Sequence, residues 1–442
     1  MEKMNNTLIR KDEYKLSRFL YIIEAMLEYF IALGIGTVYL AKLAKEIGMS
    51  DSLVAVIEAF VSLGASFRIF AILLSNKKPV KIWVTTMHLI SQVFFALIWF
   101  VPLIKISKIA QTVLLIVLLL FAYLLHNLCY PAKTNMYMSC VEDNKRGSFT
   151  ATKEMVSLAG GMAFTLLYGN LIDFLEGIGK KELAFILCGS LLLLFMVGHT
   201  LSLVFAKEKL EEVDEKKYDI KQVFKQVFSD KKIFLVISVY AFYNVIHYMS
   251  IPFYSTYQIN ELGFSMAYVP IVAAVGSIVR FVFSKPIGKV ADKYSFNKSM
   301  TLCFIFLALS YLVMTFTNPS NGKYMYIIYI TFNSIAAAGI TSGVLNITYD
   351  YVSYENRTSA LAINGAIAGL IGFLTTLAIT PFFNYIQKIQ QSGQKILGMT
   401  IYAQQLISVI AFVLTVLLIL YNIFVIGKIK RNADLKNGVS ND

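Results

Sequence analysis

Two carboxylates stand where a carboxylate is expensive. Glu24 and Glu28 fall inside an apolar segment, 18–41, that is long enough to cross a bilayer. Four residues apart, they share one face of a helix. At 1.5 Å per residue, Glu28 lies about 15 Å from the nearer end, close to the middle of a bilayer. Charged groups at such depth are rare and usually functional. No lysine or arginine is expected at comparable depth in any span. An isolated carboxylate there should gain and lose a proton near neutral pH, which is what a proton-coupling residue does. The same group would also attract another cation or a cationic solute. The bland reading makes Glu28 a protonated acid hydrogen-bonded to a tyrosine of a neighbouring helix.

Further polar residues interrupt other apolar segments. Asn244 and His247 lie one turn apart near the middle of segment 233–257, beside Tyr243 and Tyr248. Amide, imidazole and phenol groups fix a polar solute without a buried charge. His126 and Asn127, in 109–132, and Asn333, in 324–348, are candidates of the same kind for a substrate cavity. Glu58 reads equally as a vestibule group or an interfacial one, and Glu154 beside Lys153 as a local ion pair. The four histidines (His88, His126, His199, His247) fall on different segments with no metal-ligand spacing, and Cys129, Cys140, Cys188 and Cys303 form no CxxC pair. Neither a metal site nor a cofactor is expected.

Twelve apolar segments must position these groups: 18–41, 51–74, 80–103, 109–132, 148–174 and 183–206, then 233–257, 266–284, 299–317, 324–348, 358–384 and 397–426. They are numbered below as spans 1 to 12. The chain of 442 residues is 57% hydrophobic and only 15% charged, against about a quarter charged in soluble domains. A lipid-facing, all-α membrane protein follows, because helices satisfy their own backbone in hydrocarbon. The net charge of +13 would suggest nucleic acid in a soluble protein, but no organised basic reading face is present. With the N-terminus inside, inner segments hold 29 Lys and Arg and outer loops hold 9. That asymmetry predicts a multi-pass protein of the cell membrane with both termini cytoplasmic. No cleavable signal peptide is expected, since the first 17 residues are polar.

The chain divides into an N-terminal bundle (1–206), a charged linker (207–232) and a C-terminal bundle with a short tail (233–442). Ile220, Val223, Phe224, Val227 and Phe228 space as the apolar face of an amphipathic linker helix. The two bundles read as repeats. Glu46–Ser50 (EIGMS) returns as Glu261–Ser265 (ELGFS), and Gly64 with Arg68 returns as Gly276 with Arg280. Asn135, Val141, Arg146 and Ser148 return as Asn346, Val352, Arg357 and Ser359, so three matches in order agree on one duplication. Parallel six-span repeats are an architecture of secondary transporters.

After span 8 comes GKVADKYSFNK, Gly288 to Lys298. It resembles the signature loop G-x-x-x-D-[RK]-x-G-[RK]-[RK] of the major facilitator superfamily. Glycine would permit a tight turn out of the helix. The resemblance implies two six-helix bundles working by alternating access, with Gly288, Asp292 and Lys293 as a gating loop and Arg280 and Arg68 near it at the inner ends of spans. Ser295 and Phe296 depart from the motif, and the loop after span 2, Ser75 to Lys81, lacks its Gly and Asp. The resemblance therefore identifies no substrate-defined branch.

The expected function is secondary transport of a small organic solute, coupled to a proton or other cation through Glu28 and Glu24, by a monomer in the lipid bilayer. Drug or metabolite efflux by antiport is the alternative within transport, and a non-transporting receptor on the same fold is the alternative outside it. No Ser/His/Asp grouping, Walker loop or Gly-rich nucleotide turn suggests an enzyme or an ATP-driven pump.

Overall fold

A computed structural model describes residues 13–70, 79–142, 146–209, 225, 228–352, 357–393 and 401–429. Every regular element among them is helical. Ten helices are long and apolar enough to cross a membrane. Span 1 is an eleventh, built from Lys15–Gly34 and Val38–Glu46 with a bend of 43° between them. Gly34 and Gly36 flank that bend, where the helix ends and restarts. Helix Gly322–Tyr351, 30 residues long, stands in the place of span 10 and completes the expected twelve. Span 2 is interrupted at Ala59, between Asp51–Glu58 and Phe60–Ser66.

In the first half, span 1 packs on spans 5 and 6, and span 3 on spans 4 and 6. In the second, span 9 packs on spans 10 and 12, and span 7 on spans 11 and 12. The halves meet where span 2 touches spans 7 and 11 and span 5 touches span 8. The paired glycines of the repeat do equivalent work. A Cβ on Gly64 would stand 2.5 Å from Asn127 Nδ2 and 3.0 Å from the Tyr123 carbonyl, so glycine lets span 2 close on span 4. A Cβ on Gly276 would stand 2.9 Å from Ser334 Oγ, and there span 8 closes on span 10.

Hydrogen bonds cross between the halves at the end remote from the chain termini. Asp51 accepts from Asn260 Nδ2 and from Gln387 Nε2, both at 2.7 Å. Asp173 accepts from the backbone N–H groups of Met266 and Ala267, at 3.2 and 2.7 Å, and so covers the N-terminus of helix Tyr268–Lys293 from the opposite half. Nearer the middle, Ser62 Oγ donates to the Gly369 carbonyl at 2.7 Å. At the end nearer the termini the contact is apolar: Ile69 packs with Ile233, Ile237, Val352, Ala360 and Ile363.

Two sequence readings change here. Helix Tyr268–Lys293 runs on through Gly288, and a Cβ on that glycine would meet nothing within 4 Å, so no tight turn occurs there. Helix Lys108–Met138 continues six residues past the expected end of span 4 and draws Lys133 into the bundle. The residues Ile220, Val223, Phe224 and Val227 of the linker lie outside the described residues, as do 75–78 of the loop after span 2.

Candidate functional site: a buried acid–lysine–histidine cluster beside a central cavity

Span 1 carries Glu24 and Glu28 on one face, and span 4 presents His126, Tyr130 and Lys133 at the i, i+4, i+7 spacing of one helical stripe. The stripes face each other. Lys133 Nζ donates to Glu24 Oε1 at 2.6 Å and to Glu28 Oε2 at 2.5 Å. Lys133 is 1% exposed and Glu24 0%, so this is a charge set enclosed by protein rather than a surface pair. The Tyr130 ring faces the ammonium at 5.5 Å and the Arg68 guanidinium at 5.1 Å, within cation–π range of both.

Lys133 overturns the expectation that no basic residue reaches the depth of Glu28. The error lay in ending span 4 at the edge of the apolar run. A helix continues past that edge, and a lysine stem can turn its ammonium inward when carboxylates await it. Glu28 is therefore ion-paired, and no tyrosine takes the place of its partner.

Three of the four histidines, on different spans and without metal-ligand spacing in the sequence, also come together. His199 of span 6 places Nε2 2.8 Å from Glu24 Oε1, though not in hydrogen-bond alignment. His126 Nδ1 lies 3.4 Å and His88 Nδ1 4.0 Å from Glu28 Oε1. The His88 ring stands 5.4 Å from both the His126 and the His199 rings. Donor atoms of Glu28, His88 and His199 lie within 4.8 Å of one another, which is close enough for one metal ion. Spacing along the sequence hid this because the three rings come from spans 3, 4 and 6. A usable signal was present: His88 and Gln92 sit four apart in span 3, as Glu24 and Glu28 do in span 1.

The cluster borders a cavity of about 390 Å³ between the halves. Glu28, Glu58, Arg68, Gln92, His126 and Asn127 line it from the first half, and His247 and Tyr248 from the second. Arg68 Nε donates to Asn127 Oδ1 at 2.8 Å, which fixes the guanidinium on the wall. Glu58 Oε1 is buried without a hydrogen-bond partner. Of the remaining sequence candidates, Tyr243 lies behind His247, its hydroxyl 3.4 Å from Nδ1. Asn244 Nδ2 donates to the Tyr240 carbonyl within its own helix, and neither Asn244 nor Asn333 is among the lining residues. Glu154 is exposed, and Lys153 Nζ sits 5.0 Å from the Tyr21 ring centroid. Arg280 is exposed on span 8.

Chemically, the cluster holds two carboxylates and one ammonium, with imidazoles able to take or pass a proton. Glu28 is its link to the cavity: Oε2 holds Lys133, while Oε1 turns toward His126 and His88. Anything that binds Glu28 from the cavity competes with Lys133.

Comparison with known proteins agrees with this architecture. A family model described as Major Facilitator Superfamily matches residues 19–376. The chain belongs to that superfamily. No curated protein matches the sequence. Among solved structures, a point mutant of the nucleoside transporter NupG is similar at 12% identity and a TM-score of 0.67, over 92% of this chain and 99% of that one. A bacterial homolog of the human lysosomal transporter Spinster, inward-facing and unoccupied, gives 15% identity and a TM-score of 0.64, over 92% and 95%. A D-xylose–proton symporter gives 11% and 0.65, over 91% and 97%. At these identities the structural likenesses establish the fold. As a major facilitator protein the chain is a multi-pass membrane secondary transporter and not an enzyme.

Proposed function

We propose that this transporter moves a small organic solute across the cell membrane by alternating access, driven by a proton gradient, with Glu28 and Glu24 as the proton-binding groups. The observation that carries the reading is the position of Glu28, in contact with Lys133 on one side and with the cavity on the other. Lys133 and an incoming cation compete for the same carboxylates. A proton taken by Glu28 weakens its hold on Lys133 and leaves the ammonium to Glu24. The charge set then changes its grip between spans 1 and 4, a local electrostatic change able to bias two packed states of the bundle.

The solute occupies the cavity between His126 and Asn127 on one wall and His247 on the other, with Tyr243 fixing the His247 ring. Arg68 anchors the inner end of that wall. Gly288, Asp292 and Lys293, in the last turns of helix Tyr268–Lys293, act as gating residues at the inner face, as their resemblance to the family signature implies, with Arg280 earlier on the same helix. The 1–206 and 233–442 bundles move against each other, joined by the 207–232 linker, in a monomer with both termini in the cytoplasm. The same site would serve symport or antiport, and the direction of solute movement under an imposed pH gradient distinguishes them. The test is gradient-driven accumulation in proteoliposomes, wild type against Glu28→Gln.

A further inference from the structure

The Glu28–His88–His126–His199 group leaves its own donor atoms unused. Both ring nitrogens of His88, Nδ1 of His126, Nδ1 of His199 and Oε1 of Glu28 are buried without hydrogen-bond partners, and His199 Nε2 has only its misaligned 2.8 Å approach to Glu24 Oε1. Buried polar atoms are nearly always paired, so this many in one place point to a missing partner that accepts several donors at once. Lys133 does not fill that role, because it already holds Glu24 Oε1 and Glu28 Oε2.

We infer that these residues form a site for one divalent transition-metal ion, entered from the cavity. The geometry is close to what coordination needs. Zinc–ligand bonds of about 2.0–2.1 Å in a tetrahedron place donors about 3.4 Å apart. His126 Nδ1 already stands 3.4 Å from Glu28 Oε1, and His88 Nδ1 stands 4.0 Å from it. The donors of Glu28, His88 and His199 all fall within 4.8 Å. The widest of these pairs must therefore close by at most about 1.4 Å to reach that spacing. Imidazole with one carboxylate selects zinc, cobalt or nickel, whereas magnesium and calcium need an oxygen cage that is not present among these residues. Access is provided by His126 and Glu28, which line the cavity, while His88 and His199 are 0% exposed behind them. A proton and the metal ion compete for Glu28 Oε1, so the metal is a second cation at the same group. The site nevertheless stands independently of proton coupling, because it is tested on protein that is not transporting.

The experiment is Co²⁺ titration of the purified, untagged, chelator-stripped full-length protein in detergent, read by visible d–d absorption. The expected result is one saturable Co²⁺ per chain, displaced by Zn²⁺ and unaffected by excess Mg²⁺. His199→Gln and His88→Gln should each weaken binding at least about tenfold, as loss of a group that holds a metal does. If those variants fail to fold, X-ray absorption of the Zn²⁺-loaded wild type decides, with two or three imidazoles expected. No saturable binding, displacement by Mg²⁺, binding unchanged in both folded variants, or fewer than two imidazoles would each overturn the site. None of these results bears on proton-driven uptake, whose test is the Glu28→Gln comparison.

Discussion

Lys133 and Glu24, 109 residues apart in sequence, meet at 2.6 Å in the interior of the first bundle, with almost no exposed surface on either. Removing one partner of such a pair strands the other, at a cost of roughly 3–5 kcal/mol. Lys133→Met should therefore sharply lower the thermal midpoint of the purified protein in detergent. The triple variant Glu24→Gln/Glu28→Gln/Lys133→Met, which removes all three charges, should recover much of that loss. A midpoint unmoved by Lys133→Met would mean that the ammonium is not the partner of the two acids.

Asp51 ties span 2 to spans 7 and 11 through Asn260 and Gln387. Hydrogen bonds to a charged acceptor contribute about 1.5–3 kcal/mol each. Asp51→Ala should let the halves part at that end. A cysteine introduced in place of Ser255, 1% exposed and hydrogen-bonded to the cavity-lining Pro252, should then alkylate faster. The four native cysteines are buried and give little background. Equal labelling with and without Asp51 would show that the two bonds do not hold the end closed.

A Cβ on Gly64 would meet Asn127 Nδ2 at 2.5 Å, on a side chain already tied to Arg68 and to the Tyr123 carbonyl, whereas at Gly276 the closest atom is the Ser334 hydroxyl at 2.9 Å. Gly64→Ala should destabilise by about 1–3 kcal/mol, as overpacking does, and Gly276→Ala by less. Thermal midpoints of the two variants, measured side by side, check the order. The reverse order would contradict the packing described for spans 2 and 4.

The basic residues predict orientation. Single cysteines at Lys180 and Ser392, in the loops after spans 5 and 11, should react with an impermeant maleimide added to intact cells, and one at Lys225 should not. Labelling at Lys225 alone would reverse the topology.

The fold was legible in the sequence because lipid imposes one solution on each apolar run, and the twelve runs are plain. The repeat was legible through Gly64 and Gly276, whose roles match in space. Glu28 was legible as a candidate because a carboxylate in an apolar helix stands out. Its partners were not. Lys133 follows the apolar run and reads as loop, yet the helix continues to Met138. His88, His126 and His199 look solitary because the bundle alone brings spans 3, 4 and 6 together. Gly288 misled in the other direction, since a motif that reads as a turn is continuous helix.

In the proposed mechanism Glu28 carries the coupling proton while Lys133 waits on the same carboxylate. Glutamine keeps the shape and hydrogen-bonding capacity of glutamate but cannot ionise. The decisive measurement is uptake into proteoliposomes, with and without an imposed pH gradient, of a solute first shown to bind the purified protein. Wild type should accumulate the solute against its concentration gradient only when the pH gradient is present. Glu28→Gln should lose that accumulation entirely while still exchanging labelled for unlabelled solute across the membrane. Accumulation by Glu28→Gln as steep as that of the wild type would contradict the account and leave Glu28 as a structural partner of Lys133.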